Sequence, residues 1–555
     1  MFGAAYFSHD SGIRSGARPI AAIANDCMEQ IAKFGFSALS LPQGSYIGFF
    51  RCGSDRQWHV LGDPGGNRSP YFSTEGGELR VASSARVCAL LAPRPALDRR
   101  YERFFLSYGF HPFGTTAFST TDALSATEKL NWPGGETSSK PISSKPEAKP
   151  QDGIADPINA LYTTLSQCLD EQLSADKDVA VLLGGFDSAL VASMLQRAGK
   201  RVTTYSFRYG DRLFNQPHVE TLSKYLGTRH VWVDIDASVI DHYLTSYGYQ
   251  FLRPTNWVNY VAQTAHVAEH IRADGIRIAY SGDGCDGLFL GYPGAFQRTR
   301  LFAALPHLPR WLTAAAVGAA SSATLDKRLG HPYRVAMNML RATGRPMPYR
   351  GFLTFRILDD VSIEALAHST VPDCDLDAVG LSLAQAADTN DIERLGYLAK
   401  GLISPNAIKL SACLDIHGLP VFSPYMHPAL RSMVSSMPSE LLRDRKTFSL
   451  KDLGKSLLIT MARRHGLLPD TIIYQPKLAA VDSPIDSWFR GELQSSCRSA
   501  ISNLPFEVDS DYVDWLFRDK LSERLYKKHL GSTRVISDAI SLLATYGATC
   551  ASIRN

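Results

Sequence analysis

Between residues 178 and 281 the chain alternates short runs of apolar and β-branched residues with longer stretches in which apolar residues return every three or four positions. The runs are 179–183, 202–207, 230–235 and 276–280. A short apolar run without a polar face is a strand covered on both sides, and the 3.6-residue period between runs is that of the covering helices. This order predicts an α/β fold built on a doubly wound parallel sheet. Ahead of residue 133 the pattern differs: apolar segments alternate with Gly turns, which predicts an antiparallel, β-rich layered domain. From about 295 onward the pattern is mainly helical, and 311–323 reads as a buried or amphipathic helix too short to cross a membrane. Residues 133–150, rich in Pro, Ser and Lys, have no period and read as a linker or exposed loop. The expected organisation is a first domain over 1–132, a linker over 133–153 and a second domain over 154–555.

Two predicted strands end in turns with chemistry. Val179-Ala-Val-Leu-Leu183 runs into Gly184-Gly-Phe-Asp-Ser188, and the strand ending at Tyr280 runs into Ser281-Gly-Asp-Gly-Cys-Asp286. Glycines at a strand–helix junction let backbone N–H groups close around an anion at the positive end of the helix. An aspartate beside them can hold a divalent cation. In a parallel sheet both turns lie beyond the carboxyl ends of strands, so Asp187 and Asp286 are placed to share one metal–phosphate site. The first turn lacks the lysine of a Walker loop.

These segments resemble those of the asparagine synthetase superfamily. Gly184–Ser188 is similar to its pyrophosphatase-type loop and Ser281–Asp286 to its Ser-Gly-(Glu/Asp)-Gly-x-Asp motif. Ser206-Phe-Arg-Tyr-Gly210 and Phe214–Glu220 look like the next strand and helix, and Pro476–Glu492 resembles the late lysine loop and its following helix. In the N-terminal third, Gly62–Phe72, Gly77–Ser83 and Phe104–Gly109 look like segments of the family's glutaminase domain. The resemblance implies an N-terminal antiparallel, layered α/β domain of the N-terminal-nucleophile type. It implies after that an adenine-nucleotide α-hydrolase-like synthetase domain with a helical C-terminal part.

Glutamine-dependent members begin Met-Cys-Gly, whereas this chain reads Met1-Phe-Gly. A phenyl ring cannot attack an amide, which requires a thiol or hydroxyl with a base at hand. Cys27 lies in a stretch that reads as a helix interior, and the family's glutamine-pocket segments have no counterpart. Glutaminase activity is therefore expected to be absent, the alternative being a misassigned start. A member with the ATP half and no ammonia source uses another amine, and the shortened first domain resembles that of the lasso peptide macrolactam synthetases. The activity this implies is an AMP- and pyrophosphate-forming carbon–nitrogen ligase. It would adenylate an Asp or Glu side chain of a ribosomally made precursor peptide and close a macrolactam with the N-terminal amine. The alternatives are a small-molecule ligase, β-lactam synthetase-like or ammonia-dependent, and a non-catalytic scaffold.

By the same resemblance the cofactors are ATP and Mg2+, with Asp187 and Asp286 as metal ligands. Nucleotide contacts fall on Leu182, Gly184, Gly185, Asp187, Ser188, Ser206, Phe207, Ser281 and Gly282. Lys477 is expected over the α-phosphate and acyl carbonyl, where an ammonium stabilises developing charge, and Asp283 is expected to accept a proton from the attacking amine or to orient it. Leu183 replaces a serine of the family loop, and Gly287, in place of an acidic residue, reads as a turn glycine. Leu414–Tyr425 lacks the arginine of asparagine synthetases, which argues against free aspartate as substrate. Lys409 and His417 read as structural, and Cys285 as small filler. The implied partners are a precursor peptide, a leader peptidase and a leader-binding protein.

Composition narrows the classes further. With 58 Lys and Arg against 54 Asp and Glu, dispersed along the chain, nothing marks a nucleic-acid surface. No apolar run is long enough for a membrane helix and no secretory signal opens the sequence, so a cytoplasmic enzyme is expected. The nine cysteines contain no C-x-x-C pair, which fits reduced thiols and argues against a structural zinc motif.

Overall fold

The computed structural model describes residues 5–7, 29, 47–51, 57–62, 69–124, 129–132, 137–138, 155–172, 176–210, 216–251, 253–292, 301, 304–322, 331–346, 350, 353, 356–386, 394, 406–443, 454–474, 484–518 and 534–554. The N-terminal part holds two antiparallel sheets. One joins β1 (Ala5–Phe7), β2 (Ile47–Arg51), β3 (Trp58–Gly62), β7 (Lys129–Trp132) and β8 (Thr137–Ser138) in the order β1-β2-β3-β7-β8. The other has the order β5-β4-β6, with β4 Tyr71–Ser73, β5 Arg80–Ala82 and β6 Asp122–Ala123. Ile47, Val60 and Leu130 from the first sheet meet Phe72 and Leu124 in one small core, so the two sheets are layered by their apolar faces. β8 lies inside the stretch expected to be a linker: its two residues pair with β7.

The second part is organised by β9 (Asp178–Leu182), β10 (Arg201–Arg208), β11 (Arg229–Asp234), β12 (Ala279–Ser281) and β13 (Val421–Phe422). All neighbouring pairs are parallel, and the order is β11-β10-β9-β12-β13. Val179, Ala180 and Val181 have no exposed surface, because the period-2 alternation of a strand sends Val179 and Val181 to one face and Ala180 to the other. Val179 and Val181 share a core with Leu190 and Leu195 of the helix Phe186–Arg197. Ala180 packs in a second core with Val261 and Ala265 of the helix Val258–Ala273. Each fully buried Leu or Val of this kind contributes about 1.5–3 kcal/mol.

Sheet order locates the functional region. The chain moves outward from β9 to β10 and β11, then crosses back to place β12 on the other side of β9, so the winding reverses between β9 and β12. Ligands of open α/β sheets bind at such a reversal, outside the carboxyl ends of the strands. β13 is the one parallel strand absent from the sequence reading; at two residues it carries no periodicity to detect.

The two parts are tied together by the helix Glu102–Tyr108, which ends on Gly109 in the left-handed conformation, φ 74°. Phe105 and Leu106 enter the same core as Leu542 and Tyr546 of the C-terminal helix Arg534–Ala551. Buried Glu102 accepts from the Tyr546 hydroxyl at 2.8 Å and pairs with Arg99 at 2.8 Å. Burial raises the Glu102 carboxyl above its ordinary range, and the bonds from Arg99 and Tyr546 only partly counter it. The apolar segment at 311 forms the amphipathic helix Arg310–Ala320: its less exposed positions Thr313, Ala316, Val317 and Ala320 share one face, and Trp311 is 73% exposed. Among the described residues no helix is long and apolar enough to cross a membrane.

Candidate active site

At the reversal point lies a cavity of about 340 Å³. The turns after β9 and β12 form its floor: Leu182, Gly184, Gly185, Asp187, Ser188, Ser281, Gly282, Asp283 and Asp286 all line it, as do Ser206 and Phe207 from the end of β10. The first turn is closed at the start of the helix Phe186–Arg197 by the Ser188 side chain, which bonds back to the N-cap residue Gly185. Ser188 Oγ accepts from the N–H groups of Gly184 at 2.9 Å and Gly185 at 3.3 Å, and donates to the Gly185 carbonyl at 3.1 Å. A Cβ added at Gly184 or Gly185 would meet nothing within 4 Å, so the fold leaves these backbone positions facing open space. That is a cradle for a group that approaches the main chain closely.

Gly282 has the opposite environment. A Cβ there would lie 2.7 Å from Ser188 N and 2.8 Å from Asp187 Cβ, so its missing side chain is what lets the two turns touch. Asp283 is fixed through its backbone, its N–H on Ser281 Oγ at 3.3 Å and its carbonyl accepting from Ser423 Oγ at 2.6 Å. Ser423 follows β13, which is how that short strand takes part in the site.

Asp187 and Asp286 meet at a residue that motif reading passed over. Lys455 Nζ lies 2.6 Å from both oxygens of Asp187 and 2.6 Å from Asp286 Oδ1. Burial alone would lower this ammonium's pKa, but the carboxylates of Asp187 and Asp286 outweigh it and hold the value well above that of an ordinary lysine. Lys455 precedes the helix Ser456–Arg464 in the left-handed conformation, φ 59°. A Cβ at Gly291 would collide with Lys455 and with Asp286 Oδ1, so this glycine gives the ammonium its path to the carboxylates. A sequence signal for it exists: Gly454-Lys455-Ser456 directly ahead of a helix has the residue types of a phosphate-binding turn.

Two carboxylates converging on one cation, beside an open backbone cradle, fit a magnesium ion that completes its shell with water and phosphate oxygens. Among the described residues no group of three or more His, Cys, Asp or Glu is placed to hold a metal by itself. Behind Asp187, Cys285 is fully buried, and burial first and the Asp187 carboxylate second push its thiol well above the ordinary value. The side chain is a neutral packing group. Tyr425 donates to the Asp187 carbonyl at 3.1 Å and steadies the turn from below.

Other sequence expectations divide. Lys477 lies outside the described residues, as do Phe2 and Cys27. Gly287 is not a turn glycine: it sits in the short helix Cys285–Leu288 with open space where a Cβ would go. Leu183 points into the core beneath the loop, 3% exposed, and its carbonyl accepts from Ser206 Oγ at 2.5 Å. His417 stands away from the cavity and bonds to the Tyr243 hydroxyl at 2.6 Å. Lys409, expected to be structural, lines the cavity and pairs with Asp283 at 2.6 Å.

Among solved structures, the NMN synthetase of Francisella tularensis aligns with 19% identity and a TM-score of 0.19, over 24% of this chain and 57% of that protein. The chain thus spans little more than half of that relative's length. No curated protein sequence matches. A family model described as asparagine synthase matches residues 160–549, a span that contains both Gly-rich turns, Lys409 and Lys455. The chain belongs to the asparagine synthase family.

Proposed function

We propose that this protein is an ATP-dependent carbon–nitrogen ligase that activates a carboxylate as its adenylate and joins it to an amine. The observation that carries this reading is the junction of the backbone cradle at Gly184–Gly185 with the Asp187–Lys455–Asp286 cluster in one cavity. Magnesium-bound ATP supplies the activating group, its α-phosphorus accepting the carboxylate oxygen as pyrophosphate leaves. The N–H groups of Gly184 and Gly185, which here donate to Ser188 Oγ, would turn with that hydroxyl to the departing phosphates, and Asp187 and Asp286 would hold their metal. With a metal held by Asp187 and Asp286, Lys455 would be free to pair with the phosphates. Asp283, which lines the same cavity, would orient the amine.

The finer reading is a macrolactam synthetase acting on a ribosomally made peptide, with the peptide's own N-terminal amine as acceptor. The absence of the family's glutamine-pocket segments supports it, since a ligase without an ammonia source uses an amine of its substrate. On this reading the antiparallel N-terminal layers are a degenerate glutaminase domain, and a leader peptidase and a leader-binding protein are the partners that deliver the peptide. Much of the rate enhancement would come from holding amine and carboxylate together. The test is pyrophosphate release with ATP and magnesium in the presence of glutamine plus aspartate, ammonium plus aspartate, or a leader-free peptide encoded beside this reading frame. Lys477→Ala serves as the control. Peptide-dependent pyrophosphate with loss of one water from the peptide mass is expected. Turnover of aspartate with ammonium would instead make it a small-molecule ligase.

A further inference from the structure

The wall of the cavity facing the phosphate cradle is built from two helices. Val258–Ala273 contributes Tyr260, Gln263, Thr264 and Val267, positions that recur on one helical face, and Asn406–His417 contributes Asn406 and Lys409, one turn apart. Two side chains of this wall, Lys409 and Gln263, have no role in the chemistry above. Lys409 Nζ lies 2.6 Å from Asp283 Oδ1, with both side chains 16% exposed at the cavity surface. Gln263 has no exposed surface; its Oε1 accepts from the Tyr209 hydroxyl at 2.6 Å, while its Nε2 has no acceptor among the described residues. A buried donor at a cavity wall without an acceptor is a group waiting for a ligand.

Charge adds a second constraint. Asp187 and Asp286 already draw on the ammonium of Lys455, so a substrate carboxylate needs another cation of the cavity. The Lys409–Asp283 pair is neutral as a unit. A molecule carrying both an ammonium and a carboxylate can exchange partners with it and leave the total charge unchanged. The two members are suited to different parts in that exchange. Asp283 is held by its backbone on Ser281 and Ser423, whereas Lys409 reaches the cavity on a flexible four-carbon stem.

Resting on the ligase reading above, we infer that Asp283 and Lys409 form a partner-exchange site: on binding, Lys409 takes the substrate's carboxylate, Asp283 takes its ammonium, and Gln263 Nε2 donates to a carbonyl oxygen of the chain joining them. The site selects substrates that carry amine and carboxylate in one molecule. A ligand with only the carboxylate leaves Asp283 unpaired, and one with only the amine leaves Lys409 unpaired. Gln263, reading a peptide carbonyl, favours a peptide over a free amino acid.

The test is equilibrium binding to the full chain in the presence of magnesium and a nonhydrolysable ATP analogue. The probes are the leader-free peptide, its N-acetylated form, and a form with the acidic residue changed to its amide. Wild type is expected to bind each altered peptide at least about tenfold more weakly than the parent, the scale of a charge-assisted bond. In Lys409→Met the parent should fall to the affinity of the amide peptide while the penalty for acetylation persists, and Lys409→Arg should restore the discrimination. Asp283→Asn should show the converse. Gln263→Leu should weaken all three peptides by a similar factor, more than Tyr209→Phe, which removes only the bond between these two side chains. Equal weakening of all three peptides by Lys409→Met would show the pair to be only structural and overturn the exchange alone. Failure of wild type to bind the parent peptide would overturn the peptide reading and the exchange with it.

Discussion

Replacing Lys455 with methionine keeps the reach of the side chain and removes its charge. Lys455 is 6% exposed and the two carboxylates it joins are each 20% exposed, so little water is at hand to take over. Asp187 and Asp286 would then lose the ammonium they share. At an effective dielectric of about 20, two like charges about 4 Å apart cost about 4 kcal/mol. Measured cases in which one partner of a buried ion pair is deleted cost about 3–5 kcal/mol. Allowing for the residual exposure of both carboxylates, Lys455→Met should lose about 3 kcal/mol of stability in the absence of metal. The assay is urea unfolding of wild type and variant, with chelator and with excess magnesium. Without nucleotide, magnesium should leave wild type nearly unchanged, because the ammonium already fills the cation position. It should return about 1 kcal/mol or more to the variant once the metal exceeds its Kd several-fold. A loss below about 1 kcal/mol, or equal stabilisation of both proteins by magnesium, would refute the placement of Lys455 as stand-in for the metal.

Glycines of the two turns should separate folding from ligand binding. Gly185→Ala should change stability by no more than about 0.5 kcal/mol, since the new methyl meets open space, yet cut pyrophosphate release by filling the cradle. Gly282→Ala should cost about 1–3 kcal/mol in denaturant unfolding, because its Cβ would strike the Asp187–Ser188 backbone. His111, stacked on Phe105, is held down from the ordinary 6.5 to about 3, by burial first and the charge of Arg253 second. Its unfolded form takes up a proton below 6.5 while the native form stays neutral, so the stability it contributes is present above pH 6.5 and is lost as pH falls toward 3. His111→Phe should flatten the fall in unfolding free energy between pH 7 and pH 5; an unchanged slope would assign the acid sensitivity elsewhere. Tyr546→Phe removes a donor from buried Glu102 and should cost about 1–3 kcal/mol, read as a lower midpoint in thermal unfolding.

The sequence by itself determined the parallel sheet and the two turns that end β9 and β12. The signals there are local: apolar runs bounded by helical periodicity, and glycines with aspartates at a strand's end, are complete within some ten residues of chain. The antiparallel layering ahead of residue 133 was legible for the same reason, although β8 extends it into the stretch that reads as linker. Tertiary structure alone decided which side chains share the cavity. Lys455 and Lys409 reach Asp187 and Asp283 from distant helices, and a lone lysine in a helical pattern reads as solvated surface until something opposite it is known. Gln263 sits on a helix face that periodicity assigns to the interior, yet that face borders a cavity as well as the core. β13 became a strand only because β12 offered it an edge. Periodicity records which face of an element turns inward, whereas the partner across the gap is set by packing between segments far apart in the chain, and that packing brought two aspartates and a lysine onto one point in space.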